Sequence, residues 1–313
     1  MDTELLNLGS EALRKAALNQ DAKNYVLSNP TLFQTLKKAA NRYIGGETLE
    51  ETVRKVQAEN RRSFKCSIEF MGENTKTEEE ANSARDEFVQ ICREIKKQNL
   101  NSTVSLDLSH IGLNISKELC LDNLSTICRE AKKANTEVLI SAEGHEQTDA
   151  VLDSYKAAAK SHKNLGITLQ AYLYRTKDDF KEIVKESGRI RIVKGAFETP
   201  QGLSIPRGDE LDSVYLEYVD QLLYQNHTCS IATHDDNIQQ EAKKIIQKYT
   251  SSKEIYEFES LFGIRNEQLV RLQDEGYPAK IYFVYGKEWY LYLCNRIAEY
   301  PLNIFQAIKD IVE

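Results

Sequence analysis

The sequence predicts an α/β protein whose main unit is a distorted (β/α)8 TIM-type barrel preceded by N-terminal helices. Two features carry that expectation. From Phe64 onward, short apolar stretches rich in β-branched residues alternate with longer amphipathic ones. The short stretches fall at 65–71, 103–108, 137–142, 166–173, 189–194, 228–233, 255–261 and 279–284, the strand complement of a barrel of about 250 residues. Polar or glycine residues then follow the ends of these stretches, as at Gln170 to Arg175 and at Lys194-Gly195. A parallel barrel collects such strand ends on one face. The competing architecture is a doubly wound open sheet, but no Gly-x-Gly-x-x-Gly turn follows any strand.

In chain order, residues 1–62 read as a helical arm and residues 63–313 as the barrel. Ala12, Leu13 and Ala16 fall near helical spacing, as do Leu32, Leu36, Ala39 and Ala40 after Pro30. Gly45-Gly46 marks a break, and 47–52 opens a further helix. Between strands, 80–98, 117–134, 148–161, 177–187 and 209–225 are amphipathic. No repeat of fixed period and no low-complexity linker interrupts the series.

The chain has 313 residues, 41% of them hydrophobic and 28% charged, the make-up of an ordinary globular protein. A net charge of −7 argues against a nucleic-acid partner, which needs local positive excess. The basic pairs Lys132-Lys133 and Lys243-Lys244 sit in helical stretches and read as solvated faces. Cys66, Cys92, Cys120, Cys128, Cys229 and Cys294 show no C-x-x-C spacing, so free thiols in a reducing, cytoplasmic setting are expected. The opening Met1-Asp2-Thr3-Glu4 is acidic where a secretory leader is basic, and no long apolar run follows. Peripheral contact with a membrane surface stays open.

The strand ends are chemically loaded. Glu73 follows the first strand, Asp107 ends the second, and Ser141 and Glu143 end the third. Gln170 and Tyr172 come from the fourth strand, Arg191 and Lys194 from the fifth, and Thr233-His234-Asp235 from the sixth. Glu259 and Tyr282 belong to the seventh and eighth, and Arg296 and Glu299 share a face of the following helix. Taken singly, each has a plain structural explanation: Asp235 can cap a helix, and Arg296–Glu299 can be an exposed pair. Their convergence on one face is the argument for a site. No metal-ligand trio and no nucleophile elbow accompany them, which points to a bound cofactor for the chemistry.

Phe70-Met71-Gly72-Glu73, Gln170 to Arg175, Arg191 to Phe197, Ala232-Thr233-His234-Asp235, Tyr256 to Gly263, and Tyr285-Gly286 with Asn295 to Glu299 resemble, in order, the motifs of the flavin-dependent proline dehydrogenases of bacterial monofunctional type. The resemblance implies FAD in the barrel, hydride transfer from a C–N bond to flavin N5, and a quinone as electron acceptor. It places Gln170 at the isoalloxazine edge and Arg191 beside N5. Lys194, Gly195 and Ala196 would line the flavin, with Thr233, His234 and Glu259 as further cofactor contacts. Leu261, Tyr282 and Arg296 would enclose the substrate, Arg296 gripping a carboxylate and Glu299 orienting that arginine or meeting the amine. By the same resemblance Arg191, Tyr282, Arg296 and Glu299 form the catalytic set.

Departures from the pattern concentrate on the substrate side. Asp107 stands where the family has a lysine, and Asn295 where it has the first of two arginines. Ser141 replaces an aspartate, Phe197 a tyrosine, and Glu259 a glutamine. Losing two cations and gaining an anion disfavours a carboxylate by about 2–5 kcal/mol per disrupted buried pair. The expected ligand is therefore an amine or imino acid related to proline, recognised by Asp107, Ser141, Phe197, Leu261, Tyr282, Asn295, Arg296 and Glu299. The alternative is a catalytically altered barrel serving as a regulatory or assembly subunit.

Overall fold

The computed structural model describes residues 3–312, with side chains from Leu8 to Val312; Met1 and Asp2 of the acidic opening lie outside the described residues. Helices α1 (Thr3–Leu18), α2 (Gln20–Ser28), α3 (Pro30–Asn41) and α4 (Leu49–Arg61) precede the first strand. Asn29 caps α3 with Pro30 at its first turn, and a Thr48–Glu51 capping box starts α4. The α2 segment has no counterpart in the sequence reading, because its apolar face is short: Val26 is its only fully buried residue.

Strands β1 (Lys65–Phe70), β2 (Ser102–Leu106), β3 (Val138–Ile140), β4 (Leu165–Gln170), β5 (Ile190–Val193), β6 (Cys229–Ala232), β7 (Tyr256–Leu261) and β8 (Ala279–Tyr285) close in sequence order into a parallel barrel. Each matches a predicted strand, with ends shifted by at most three residues. The connecting helices are α5 (Glu78–Gln98), α6 (Lys117–Lys133), α7 (Thr148–Ala159), α8 (Thr176–Ile183), α9 (Asp209–Tyr224), α10 (Asp236–Tyr249) and α11 (Asn266–Asp274). After β8 come α12 (Trp289–Glu299) and α13 (Asn303–Val312).

Two apolar clusters hold this frame. One lies between the strands and the surrounding helices, where Ile68, Val104, Ile140, Ile167, Ile192 and Phe283 turn outward. The other joins Ala17, Ala39, Tyr43 and Ile44 of the N-terminal segment to Tyr282, Trp289, Leu293 and Ile297. The arm is thus packed across the end of β8 and α12, beside the strand ends that carry the candidate site.

Inside the barrel the alternation is reversed. The inward positions include Glu69, Arg189, Arg191, Glu257, Glu259 and Lys280, where barrels more often pack branched apolar residues. These charges neutralise one another. Lys280 is fully buried, with Nζ 2.5 Å from Glu257 Oε1 and 2.9 Å from Glu259 Oε2. Glu257 also meets Lys65 at 3.2 Å and Arg189 at 3.8 Å. Burial acts to raise the Glu257 pKa, but Lys280, Lys65 and Arg189 overcome it and hold the carboxyl well below its usual range. Lys280→Met removes the fully buried cation that two buried carboxylates share and is expected to cost about 3–5 kcal/mol, read as a lower urea midpoint. Lys280→Met combined with Glu257→Gln should recover part of that loss. A single variant within about 1 kcal/mol of wild type would show that the network contributes little.

One sequence expectation is corrected here. Lys243 is not on a solvated face: it is 7% exposed, bonds Glu275 Oε2 at 2.5 Å and lies over the Tyr277 ring. The acid on the neighbouring helix end, not visible in the basic pair itself, draws it inward. Lys132, Lys133 and Lys244 are exposed as expected.

Candidate active site

The site grows from the C-terminal ends of the strands. At its centre Arg191 is 4% exposed, its guanidinium fixed from four directions. Nε donates to Thr168 Oγ1 at 2.8 Å, Nη1 to Ser105 Oγ at 3.2 Å and Glu259 Oε1 at 3.0 Å, and Nη2 to Ser141 Oγ at 3.2 Å. One N–H on Nη2 is left unused. Burial works against the charge, yet Glu259, Tyr282 and Glu69 hold the Arg191 pKa above its ordinary value. The cation therefore persists in the core, stacked 4.9 Å from the centre of the Tyr282 ring. Ser141 and Glu259, two positions where the resemblance expects other residues, are among the four that fasten it.

On the β1 side, Glu69 accepts hydrogen bonds from Ser141 Oγ at 2.7 Å and from the Tyr282 hydroxyl. Beside it Asp107 follows β2 and Glu143 follows β3. Glu143 Oε1 accepts from the backbone N–H of Leu108 at 2.8 Å and of Ser109 at 3.1 Å, pinning the loop that carries Asp107. Burial, reinforced by Glu69, Glu143 and Glu73, pushes the Asp107 pKa well above the carboxylate range. The shift favours the neutral, hydrogen-bond-donating form of Asp107 and makes it a weaker repellent of carboxylates than its formal charge suggests.

Gln170, 6% exposed, donates from Nε2 to the Glu143 carbonyl at 2.9 Å, while its Oε1 is buried with no partner. His234 accepts from the Leu261 N–H at its Nε2, 3.0 Å away. Burial, with Arg296 and Arg265, drives its pKa down to about 4. The ring is neutral and presents Nδ1–H. Thr233 Oγ1 accepts from the Asp235 N–H at 3.0 Å, and Asp235 caps α10. Lys194 is shared by Asp212 at 2.5 Å and Asp235 at 2.8 Å. Gly195 has φ of 106°, and a Cβ there would meet the Tyr172 ring at 2.1 Å, so a side chain is excluded by Tyr172 itself.

The cover comes from α12. Arg296 pairs with Glu299, and its Nε has no hydrogen-bond partner. Tyr292 sits one turn before Arg296, under its guanidinium at 5.0 Å, its hydroxyl also unpartnered. Asn295 shares the helix and is half-buried. Leu261 reaches the site beside Tyr282, whereas Phe197 and Ala196 lie exposed on the loop after β5. The site thus brings Gln170, Arg191, His234, Glu259, Tyr282 and Arg296 towards one opening, and leaves Phe197 at its rim.

Glu69, Tyr292, Ser105 and Thr168 were not singled out from the sequence. Their signal was present for three of them: Ser67-x-Glu69, Ser105-x-Asp107 and Thr168-x-Gln170 repeat a polar residue every second position, the mark of one strand face. Among the described residues, no grouping of three or more His, Cys, Asp or Glu could hold a metal ion.

Comparison with known proteins bears on what this opening does. A family model described as proline dehydrogenase matches residues 52–300. Proline dehydrogenase 1 of Bacillus subtilis is 34% identical over 276 residues, covering 88% of this chain and 91% of that protein. Proline dehydrogenase of Deinococcus radiodurans is 28% identical over 285 residues, covering 90% and 92%. Among solved structures, proline utilization A from Bdellovibrio bacteriovorus, inactivated by N-propargylglycine, superposes with a TM-score of 0.79 at 19% identity. That match covers 93% of this chain but 36% of the larger protein, and it speaks for the fold.

Proposed function

This chain belongs to the proline dehydrogenase family and is an oxidoreductase acting on CH–NH bonds, and from that premise we propose that it uses FAD to oxidise proline or, more in keeping with its pocket, a proline-related or other cyclic or secondary amine. The observation that carries this reading is Arg191, a buried cation held rigid with one N–H unspent at the barrel mouth.

The surrounding donor set fits a flavin. Gln170 Oε1 is a buried acceptor without a donor, and His234 offers an N–H. Gln170 and Arg191 would hold the ring system's polar edge, and Thr233 and His234 the remainder. Lys194 would contribute less charge than expected, since two aspartates already share it. When bound, the cofactor supplies a two-electron acceptor for hydride. Arg191 supplies fixed positive charge where negative charge accumulates on reduction, without reorganisation. Tyr282 and Leu261 exclude water from the reacting carbon, and Arg296 orients the substrate against them. A quinone is the electron acceptor in this reading, met at a membrane surface. Among the described residues no helix is long and apolar enough to cross a membrane.

A second reading, a flavin-binding or empty barrel with a regulatory or assembly role, is favoured by Asp107 and Asn295, which remove two substrate-side cations. The retained Arg191, Gln170 and Thr233-His234 argue against it, as they have little use without a cofactor. The visible spectrum of the purified protein, before and after anaerobic L-proline and then a panel of cyclic amines, separates the two. The redox reading expects a flavin spectrum that bleaches with at least one amine. A colourless protein, or a flavin reducible by dithionite but by none of the amines, supports the second.

A further inference from the structure

Oxidising an amine poses a proton problem that the cofactor does not solve. Hydride leaves readily only from carbon beside a neutral nitrogen, whose lone pair pushes it out. A secondary amine with the basicity of a lysine side chain, pKa about 10, is almost wholly ammonium at neutral pH. Something at the site must take that proton or wait for the rare neutral amine.

We propose that Glu69 is the proton acceptor for the substrate ammonium, its carboxylate held in register by Ser141 and Tyr282. This rests on the redox reading above. Both hydrogen bonds that Glu69 receives fall on one oxygen, Oε2: from Ser141 Oγ at 2.7 Å and from the Tyr282 hydroxyl. The other oxygen, Oε1, accepts none and is left to a ligand. The side chain is 9% exposed and enters from β1, between Ser105 of β2 and Val284 of β8 in register. It receives the hydroxyl of Tyr282, whose ring lies 4.9 Å from the Arg191 guanidinium.

The charged neighbours make the assignment selective. From β2 Asp107 faces Glu69, from β3 Ser141, from β5 Arg191, from β7 Glu259, from β8 Tyr282 and from α12 Tyr292. Burial, and secondarily Glu259, raises the Glu69 pKa, while Tyr282, Ser141 and Arg191 restrain the rise. Asp107 has no hydrogen-bonding partner of this kind and is pushed further, chiefly by burial and by Glu69 itself. The two carboxyls titrate as a pair: burial and mutual repulsion raise both, and of the two only Glu69 receives hydrogen bonds that favour its ionised form. Glu143 is tied to the loop after β2, its Oε1 accepting from the Leu108 and Ser109 N–H groups, and among the described residues it makes no hydrogen bond to Ser141 or Tyr282.

The step balances simply. The ammonium N–H bond breaks, an O–H bond forms on Glu69 Oε1, and the electron pair stays on nitrogen. That pair then forms the C=N bond as hydride departs to the cofactor of the redox reading. The glutamic acid afterwards returns its proton to water. A base whose pKa has been raised towards neutrality suits this work better than an ordinary carboxylate.

The test uses the full chain, wild type and Glu69→Gln, with pyrrolidine as probe. At a pH where Glu69 is ionised, infrared difference spectroscopy should show a carboxylic-acid C=O stretch appearing as pyrrolidine is added, and Glu69→Gln should lack it. The measurement does not require turnover, so a colourless protein would sink the redox reading while leaving this result readable. In reducible protein, flavin reduction by Glu69→Gln should be slower by about 10²–10⁴-fold at neutral pH. That gap should close about tenfold per pH unit as free neutral amine accumulates, and Glu69→Asp should restore part of the rate. No acid band up to the highest pyrrolidine concentration, a band that persists in Glu69→Gln, or a rate loss identical at every pH would each overturn the proposal.

Discussion

Replacing Arg191 by methionine is expected to abolish amine-driven flavin reduction and to destabilise the barrel in one stroke. The stability effect follows from what the guanidinium now satisfies. Glu259 is 2% exposed, and without Arg191 it keeps only Lys280, which Glu257 already shares. Breaking one side of a buried pair typically costs about 3–5 kcal/mol. The catalytic effect is separate: losing a preorganised cation at developing negative charge costs on the order of 10²–10³ in rate. The two are told apart by Arg191→Met with Glu259→Gln, which removes the stranded charge. Its urea midpoint should move back towards wild type while its flavin stays unreduced by amine. Arg191→Lys should fold yet remain slow, because an ammonium cannot serve Thr168, Ser105, Glu259 and Ser141 in one plane. Amine-driven reduction at the wild-type rate in Arg191→Met would remove Arg191 from the mechanism.

How much of this could be read in advance differs between fold and site. The barrel was legible because each outward strand face is apolar with β-branched character, as at Ile190-x-Ile192 and Val138-x-Ile140, and each stretch stops at polar residues. The exact strand ends were not, since Leu173 and Ala142 continue the apolar pattern after the ladder has stopped. Among the residues that the structure brings together, Gln170, Arg191, Glu259 and Tyr282 were singled out from the sequence, whereas Glu69, Ser105 and Thr168 were not. Glu69 is the clearest case. Between Ile68 and Phe70 it reads as an ordinary polar interruption, and its partners Ser141 and Tyr282 are remote in sequence. Pairing of Lys280 with Glu257 and Glu259 is likewise a property of neighbouring strands in register, which no single strand records. The sequence also overstated the charge reversal at position 107. Formal charge reads as −1, whereas the surrounding acids and burial keep that carboxyl protonated to higher pH than usual.

Restoring the cations that the pocket lacks should convert it towards proline. Asp107→Lys would place an ammonium among Glu69, Glu73 and Glu143, acids that now raise the pKa of Asp107 and would instead stabilise a cation. Asn295→Arg would add a second guanidinium beside Arg296 on α12. Each recovered contact with a substrate carboxylate is worth about 2–5 kcal/mol, and about 1.4 kcal/mol is a factor of ten. Even at the lower bound for both contacts, about 4 kcal/mol together, the double variant should raise kcat/KM for L-proline by about 10³-fold, mainly through KM. Pyrrolidine, which has the amine but no carboxylate, should gain nothing or lose. The same logic gives wild type a pH signature. Below its raised pKa Asp107 is neutral and tolerates a carboxylate; above it the charge returns and repels. Preference for proline over pyrrolidine should therefore fall as pH rises in wild type, and the double variant should lack that decline. A double variant that retains wild-type flavin content but shows unchanged proline kinetics would mean that other residues set the specificity, with Ser141 the next to exchange because it links Arg191 to Glu69.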